Sequence, residues 1–281
     1  MSITVAPVGN SRILSVGTYR PKRVVPNSEI VDRIDSTDEW IVQRTGIESR
    51  RFAGDDETVI SMAKAACEIA LKRAKLTIAD IDTVILSTIS YPFQAPSAAT
   101  ELINELGNPK AAAFDISAAC AGFCYGVAMG SDLVRSGTSK NVLVIGVEKL
   151  SDYTDPDDRA TAFIFADGAG AVVIGQSDQP RIGQTIWGSD ADSRDAITLT
   201  PSFLDFKKNP DKGVTELGWP NISQQGQVVF RWAVYSMSKV GLQALEAAGV
   251  SVDELGAFIP QQANVRIIEN MAKEMKIHDS V

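Results

Sequence analysis

Residues 115–123 read D-I-S-A-A-C-A-G-F and follow the apolar run Ala111–Phe114. The pattern predicts a strand over Ala111–Ser117 that turns into a helix from Ala121 to about Gly137, leaving Cys120 at the corner. Small residues in the first turn of that helix leave room for a second backbone or a long ligand. A helix start offers unsatisfied N–H groups and the positive end of the macrodipole, which together favour a nearby anion by about 1 kcal/mol. Since the thiolate is the reactive form of cysteine, this is a place where a thiol can serve as a nucleophile. The competing reading is a cysteine that merely packs at a helix start.

Outward from the corner, strands and helices alternate. Strands are expected at 12–19, 83–89, 141–148 and 169–175, and helices at 27–34, 37–44, 57–74 and 97–106. Ser36 or Thr37 caps the 37–44 helix and Gly46 ends it. Near-continuous β-branched strands separated by helices imply an α/β sheet covered on both faces. A second unit begins near 181–190, so the chain divides into halves 1–180 and 181–281. Residues 192–225 are expected to be irregular, too long a stretch for an ordinary loop and therefore functional. A helix follows over 227–248, with Val229, Trp232, Ala233, Met237, Val240 and Ala244 on one stripe and Gly249 as its cap. A strand at 255–260 then leads into Gln261 and a helix over 264–275. Strand, motif and helix thus occur twice, at Cys120 and at Gln261.

Composition narrows the function. The 281 residues carry a net charge of −8 with a pI near 4.8, which argues against nucleic acid or an anionic membrane as the main partner. No run of about 18 apolar residues occurs, so no span is expected, and the first residues show no signal-peptide pattern. Cys67, Cys120 and Cys124 have neither metal nor disulfide spacing, which fits a reduced, cytoplasmic protein. Cys67 lies within an apolar helical pattern and Cys124 one turn after Cys120, and both are read as packing residues. G-A-G-A-V-V at 168–173 lacks the third glycine of a dinucleotide fingerprint and opens a strand rather than a helix, so close backbone packing explains it better.

The corner resembles the nucleophile region of the thiolase superfamily, most closely the β-ketoacyl-acyl-carrier-protein synthase III family. Four further stretches match that family in order and spacing: S-T-D-E-W-I-V-Q-R-T-G-I-E-S-R-R (36–51), D-R-A-T-A-F-I-F-A-D-G-A-G-A (158–171), G-S-D (188–190) and I-P-Q-Q-A-N-V-R-I-I (259–268). The resemblance implies a thiolase-like layered α-β-α-β-α fold built from two pseudo-duplicated halves, their motifs meeting at the centre. It also implies decarboxylative condensation of an acyl-CoA primer with malonyl-carrier protein through an acyl-Cys120 intermediate. Two departures stand out. Gln261 occupies the position of the family's catalytic histidine, and the family's motif with its catalytic asparagine is not in this sequence, so the second half is expected to be incomplete and condensation impaired.

By the same resemblance, Trp40, Arg44 and Arg159 hold the nucleotide end of coenzyme A, and Gly226, Phe230 and Asn264 line the pantetheine tunnel. Arg231, Gln262, Ala263, Asn264, Val265 and Arg266 face the acyl carrier protein. Ala95 stands where some relatives carry a bulky aromatic in the acyl pocket of a homodimer, which implies tolerance of primers longer than acetyl. No metal or redox cofactor is implied, since CoA thioester and phosphopantetheine arrive as substrates. Two other functions fit the residues: a cysteine-dependent acyltransferase that never decarboxylates malonyl, and a non-catalytic acyl-binding partner subunit.

Overall fold

Thr83–Ser87 is buried at all five positions, and its neighbours explain why. In the computed structural model, which describes residues 8–278 and 281, this strand lies inside a five-stranded sheet. In chain order the strands are β1 (Asn10–Tyr19), β2 (Arg23–Pro26), β3 (Ser49–Phe52), β4 (Thr83–Ser87), β5 (Ala112–Ile116), β6 (Asn141–Lys149), β7 (Asp167–Ser177), β8 (Ile197–Thr200) and β9 (Asn221–Gln224). The helices are α1 (Asp38–Thr45), α2 (Val59–Ala74), α3 (Ala98–Leu106), α4 (Gly122–Arg135), α5 (Phe203–Lys208), α6 (Gly213–Leu217), α7 (Gly226–Ala248) and α8 (Val265–Glu274). The large sheet has the order β1-β7-β6-β4-β5, while β2 with β3 and β8 with β9 form two-stranded sheets.

The contacts divide the chain into two compact units. The first comprises the chain through Arg23, Arg51–Lys149 and Ala166–Thr185, and the second Val24–Arg50, Leu150–Phe165 and Ile186–Val281. This division differs from a cut at residue 180. Two insertions within the first half, Val24–Arg50 and Leu150–Phe165, group with the later chain instead.

The first unit holds the five-stranded sheet. β4 runs parallel to β5 and β6, and β7 runs antiparallel to both β6 and β1. Side chains alternate with the period of two that a pleated strand imposes. Val84, Leu86, Leu143 and Ile145 join α2 and α3 in one core cluster. Ile85, Val142 and Val144 join Val134 of α4 in the other. An α-β-α sandwich results, each sheet face sealed by helix.

Small residues set how closely the helices approach. A Cβ on Gly17 of β1 would lie 2.1 Å from the Ala66 carbonyl oxygen of α2, and the neighbouring Ser15 hydroxyl donates to the Ala70 carbonyl at 2.6 Å. On the opposite face, a Cβ on Gly126 or Gly130 of α4 would press on Val144 at 2.7 or 3.1 Å. Cys67 is fully buried beneath α2, and burial pushes its thiol far above the usual range.

In the second unit α7 packs on α8 through Val234, Ser238, Met271 and Met275, with Gly241 giving room to the Met275 thioether. The deepest line of α7 is therefore Val234–Ser238–Gly241, while the stripe expected from Val229 to Ala244 is half-buried and Trp232 is exposed. Arg50, 5% exposed, donates to the carbonyls of Val25 and Phe163 and to the side chain of Asn27. Asn27 in turn donates to Asp38 at 2.7 Å and to the Ile47 carbonyl at 2.8 Å.

Several expectations are corrected. Residues 27–34 are not a helix. A 3-10 turn at Asn27–Glu29 gives way to irregular turns, with Asn27 held by partners far along the chain. Residues 192–225 are not irregular, since they contain β8, α5, α6 and β9; each is too short for hydrophobic periodicity to reveal. Residues 255–260 are not a strand: no ladder partner reaches them among the described residues, and Ile259 is 85% exposed. The second unit accordingly has no large sheet among the described residues to mirror the first.

The Gly17 contact yields a test. G17A should destabilise the protein by about 1–3 kcal/mol, because backbone rather than a flexible side chain must yield. G170A, where nothing lies within 4 Å of the added carbon, should cost less than about 1 kcal/mol, the range of a benign surface-like change. Urea midpoints of the two variants check the contrast.

Candidate active site

Parallel pairing decides what gathers at one edge of the first unit. Ser87 at the end of β4 is in register with Ile116 at the end of β5 and with Gly146 of β6, so β4 and β5 leave the sheet together while β6 runs on beside β7 as far as Lys149. After Ile116 comes the cysteine corner, after Ser87 the 88–97 loop, and after Gly146 comes Glu148. The Thr88 N–H bonds to the Ile116 carbonyl and ties the first two exits.

The corner is tight. Ala119 takes φ +44°, a left-handed conformation that costs a residue with a Cβ roughly 1 kcal/mol. A 3-10 turn over Ala119–Ala121 then leads into α4. A Cβ on Gly122 would fall 1.8 Å from the Ser87 hydroxyl, so only glycine lets α4 begin this close to β4. Cys120 is exposed at the start of the helical stretch. Cys124, expected to pack, is exposed as well, because the buried face of α4 runs through Gly122, Gly126 and Gly130.

Two carboxylates beside this corner were not singled out from sequence. Asp115 accepts from the Ala98 and Ala99 N–H groups at 2.7 and 2.8 Å, at the start of α3. Glu148 accepts from the Ile89 N–H at 3.0 Å, from the Thr88 hydroxyl at 3.2 Å and from the Ser90 hydroxyl. Burial pushes the Glu148 carboxyl up, against hydrogen bonds that pull it down. An acid at a strand end reads as an ordinary polar terminus, so only the donors around it give it away.

In the second unit, Trp40, Arg44 and Arg159 come together. The Arg44 guanidinium lies 4.5 Å from the Trp40 ring centre and that of Arg159 lies 5.4 Å away. Phe163 meets the indole edge-on at 5.6 Å, and Asp35 pairs with Arg159 at 3.7 Å. Thr37 caps α1 through its hydroxyl, which accepts from the Trp40 N–H. Gly46, at φ +74°, ends the helix where a Cβ would touch Val265 at 2.9 Å, so α1 rests on the start of α8. Asn264 caps α8 by accepting from the Arg266 N–H at 2.8 Å. Gln261 is exposed in the irregular turn before it, and the Gln262 amide donates to the Pro260 carbonyl. Ala263 is half-buried in that turn, and Val265 and Arg266 are exposed in the first turn of α8. Gly226 and Arg231 are exposed on the first turns of α7 and Phe230 is half-buried between them. In the first unit, Ala95 is exposed in the 88–97 loop, joined to Pro96 by a cis peptide bond.

Comparison with known proteins decides the family. The profile of 3-oxoacyl-[acyl-carrier-protein (ACP)] synthase III matches residues 114–191, the segment that contains the cysteine corner. The β-ketoacyl-[acyl-carrier-protein] synthase III 1 of Streptomyces coelicolor is 52% identical over 276 residues, covering 96% of this chain and 80% of that protein. The chain belongs to the β-ketoacyl-acyl-carrier-protein synthase III family. A synthase III of Kocuria rhizophila is 47% identical, covering 98% of this chain and 82% of its own length. The priming β-ketosynthase of the R1128 polyketide biosynthetic pathway superposes with a TM-score of 0.95 at 41% identity, covering all of this chain and 83% of that one. The fold is the thiolase-like α/β fold of these synthases. Among the described residues no helix is long and apolar enough to cross a membrane.

Glu148 gives a pH test. Its folded-state affinity for a proton exceeds the unfolded one, so its contribution to stability is complete below about pH 4.5, the ordinary value for the group, and is lost as pH rises through the raised folded value. The melting temperature of the wild type minus that of E148Q should therefore fall as pH is raised from 4 toward 7. A flat difference across that range would contradict the assignment.

Proposed function

We propose that the protein starts fatty-acid synthesis by condensing an acyl-CoA primer with malonyl-acyl-carrier protein. The observation that carries this reading is an exposed cysteine on a constrained strand-to-helix corner, in a chain of this family. The Cys120 thiolate attacks the thioester carbonyl of acyl-CoA and expels the coenzyme A thiolate, leaving an acyl-cysteine. Malonyl-carrier protein then loses CO₂, and the carbanion so formed attacks the acyl carbonyl. Cys120 departs as thiolate and the β-ketoacyl group stays on the carrier protein. Covalent catalysis divides one difficult condensation into two easier transfers.

Gln261 donates a hydrogen bond from its amide to the malonyl thioester oxygen, where negative charge gathers during decarboxylation. Unlike an imidazole it cannot carry a proton. Losing one oxyanion donor costs about 10²–10³ in rate, and a displaced donor less. Acylation of Cys120 therefore outlasts condensation in this chain, and this favours a second reading, a cysteine-dependent acyltransferase that leaves malonyl intact.

The Trp40 indole with the Arg44 and Arg159 guanidiniums suits a phosphorylated nucleotide, through stacking and charge. Gly226, Phe230 and Asn264 take the pantetheine arm. Arg231 and Arg266, with the Gln262–Val265 turn, meet the acidic carrier protein against the chain's overall negative field, while Ala95 borders the acyl pocket of a homodimer. The reaction needs no metal or redox cofactor, and the cytoplasm supplies its substrates.

Radiolabelled acetyl-CoA should leave an acid-stable label on Cys120, and C120A should abolish it. An unlabelled wild-type protein would sink the reading. Q261H should raise malonyl-dependent CO₂ release by about tenfold or more while changing acylation little, and no gain would refute the role given to this position.

A further inference from the structure

Where α4 ends, a cavity of about 500 Å³ opens between the start of β1 and the turn that follows β7. It lies wholly in the first unit. Three guanidiniums line it, those of Arg12 on β1, Arg135 at the end of α4 and Arg181 beyond β7, against one carboxylate, Asp178. In a chain of net charge −8, this local excess of cations runs against the average. α4 spans 14 residues, so the cavity stands about 20 Å from the cysteine corner at the helix's other end.

The guanidiniums are only lightly engaged. Arg12 has no hydrogen-bond or ion-pair partner among the described residues. Arg181 donates at 3.3 Å to the side-chain oxygen of Gln179, a neutral acceptor two residues away. Arg135 meets Asp132 at 3.3 Å one turn back, and a partly exposed pair of this kind holds weakly. The usual competitor for such cations, the carbonyl end of a helix, is already occupied. The last four carbonyls of α4 accept from the N–H groups of Ser136, Ser139, Gly137 and Gly9, the last at 2.8 Å. The backbones that carry the arginines are meanwhile fixed. The Arg181 N–H donates to the Ser11 carbonyl at 3.2 Å, and Arg12 pairs with Gly175 across the ladder. Held backbones whose side-chain donors are mostly unused make a preorganised receptor for an anion.

We propose that this cavity binds a diphosphate group, either free or as part of a nucleoside diphosphate. The planar fork of arginine matches phosphate oxygens two at a time, and three forks around one cavity suit an anion with several oxygens. The volume falls within the range of about 300–1,000 Å³ that small-ligand sites occupy. Asn10, Gln176 and Gln179 make the rest of the lining polar, which disfavours an acyl chain. Trp40, Arg44 and Arg159 belong to the second unit, so this is a different set of residues from the one assigned to coenzyme A. The proposal does not depend on the condensing reaction.

Calorimetric titration with inorganic pyrophosphate and with ADP tests it, in wild type, R12A, R181A, the R12A/R181A double variant and R44A, with melting curves to confirm folding. Wild type should bind pyrophosphate at one site. R12A and R181A should each weaken binding by about tenfold or more, the double variant further, and R44A should leave it unchanged. ADP that loses affinity by the same factors carries its diphosphate into this cavity; ADP that answers to R44A alone leaves the cavity to free diphosphate. Absence of pyrophosphate binding in wild type, unchanged affinity in the double variant, or sulfate bound as tightly as pyrophosphate overturns the proposal. Pyrophosphate binding that responds to R44A and not to R12A or R181A overturns it as well. Should R12A fail to fold, R181A carries the same comparison from the other side of the cavity.

Discussion

The first unit depends on one pairing constraint: β4 lies parallel to both β5 and β6. Parallel neighbours must be connected by crossovers, so α3 and α4 cover opposite faces and every strand end of the trio points the same way. Chemistry then accumulates at that end without any special arrangement. The cysteine corner, the loop before α3 and the Glu148 carboxylate gather at one edge because β4 and β5 stop level with each other while β6 runs on past them in the same direction. Had β6 been antiparallel to β4, Glu148 would stand at the far edge of the sheet. The small residues of α4 are the second half of this constraint, since only a bare helix face lets the corner sit against Ser87.

The second unit is organised by a buried cation. Arg50 gathers Val25, Asn27 and the Phe163 carbonyl, three points distant in sequence. Its Nε is left without a partner and burial pulls the guanidinium's proton affinity down, so the residue bears a desolvation cost that its remaining bonds offset. Asn27 passes the connection on to Asp38 at the start of α1, the helix that carries Trp40 and Arg44. The aromatic and cationic cluster is thus held from below by a polar network as well as by Thr37 and Gly46 at its ends.

Much of this was legible in the sequence, for identifiable reasons. The five strands of the large sheet announce themselves as apolar runs, and α2 and α3 begin at Thr58 and Ser97, whose hydroxyls accept from the third helical N–H as a capping residue should. Cys120 could be placed because the change of period from two to 3.6 falls on it. The Trp40–Arg44 face follows from helical spacing, but Arg159, 115 residues beyond Arg44, reaches it only through tertiary structure that no local pattern encodes. The opposite failure occurs at 255–260, where β-prone residues find no ladder partner among the described residues and remain irregular. Elements such as α5 are set by four residues, Ser202 to Asp205, in a reciprocal cap, a signal below the reach of periodicity. Glu148 and Asp115 were missed because an acid's importance lies in its donors, and those donors, backbone N–H groups and for Glu148 also the Thr88 and Ser90 hydroxyls, come from another segment of the chain.

Cys67 gives the molecule a built-in gauge. Its side chain sits at zero exposure on the buried face of α2, within the core cluster between that helix and the sheet, and burial keeps the thiol protonated, whereas Cys120 and Cys124 are exposed. An alkylating reagent can therefore mark the two outer thiols in the intact fold and reach the third only when α2 lifts from the sheet. The rate at which a third adduct accumulates measures how often the core opens, using chemistry the chain already contains.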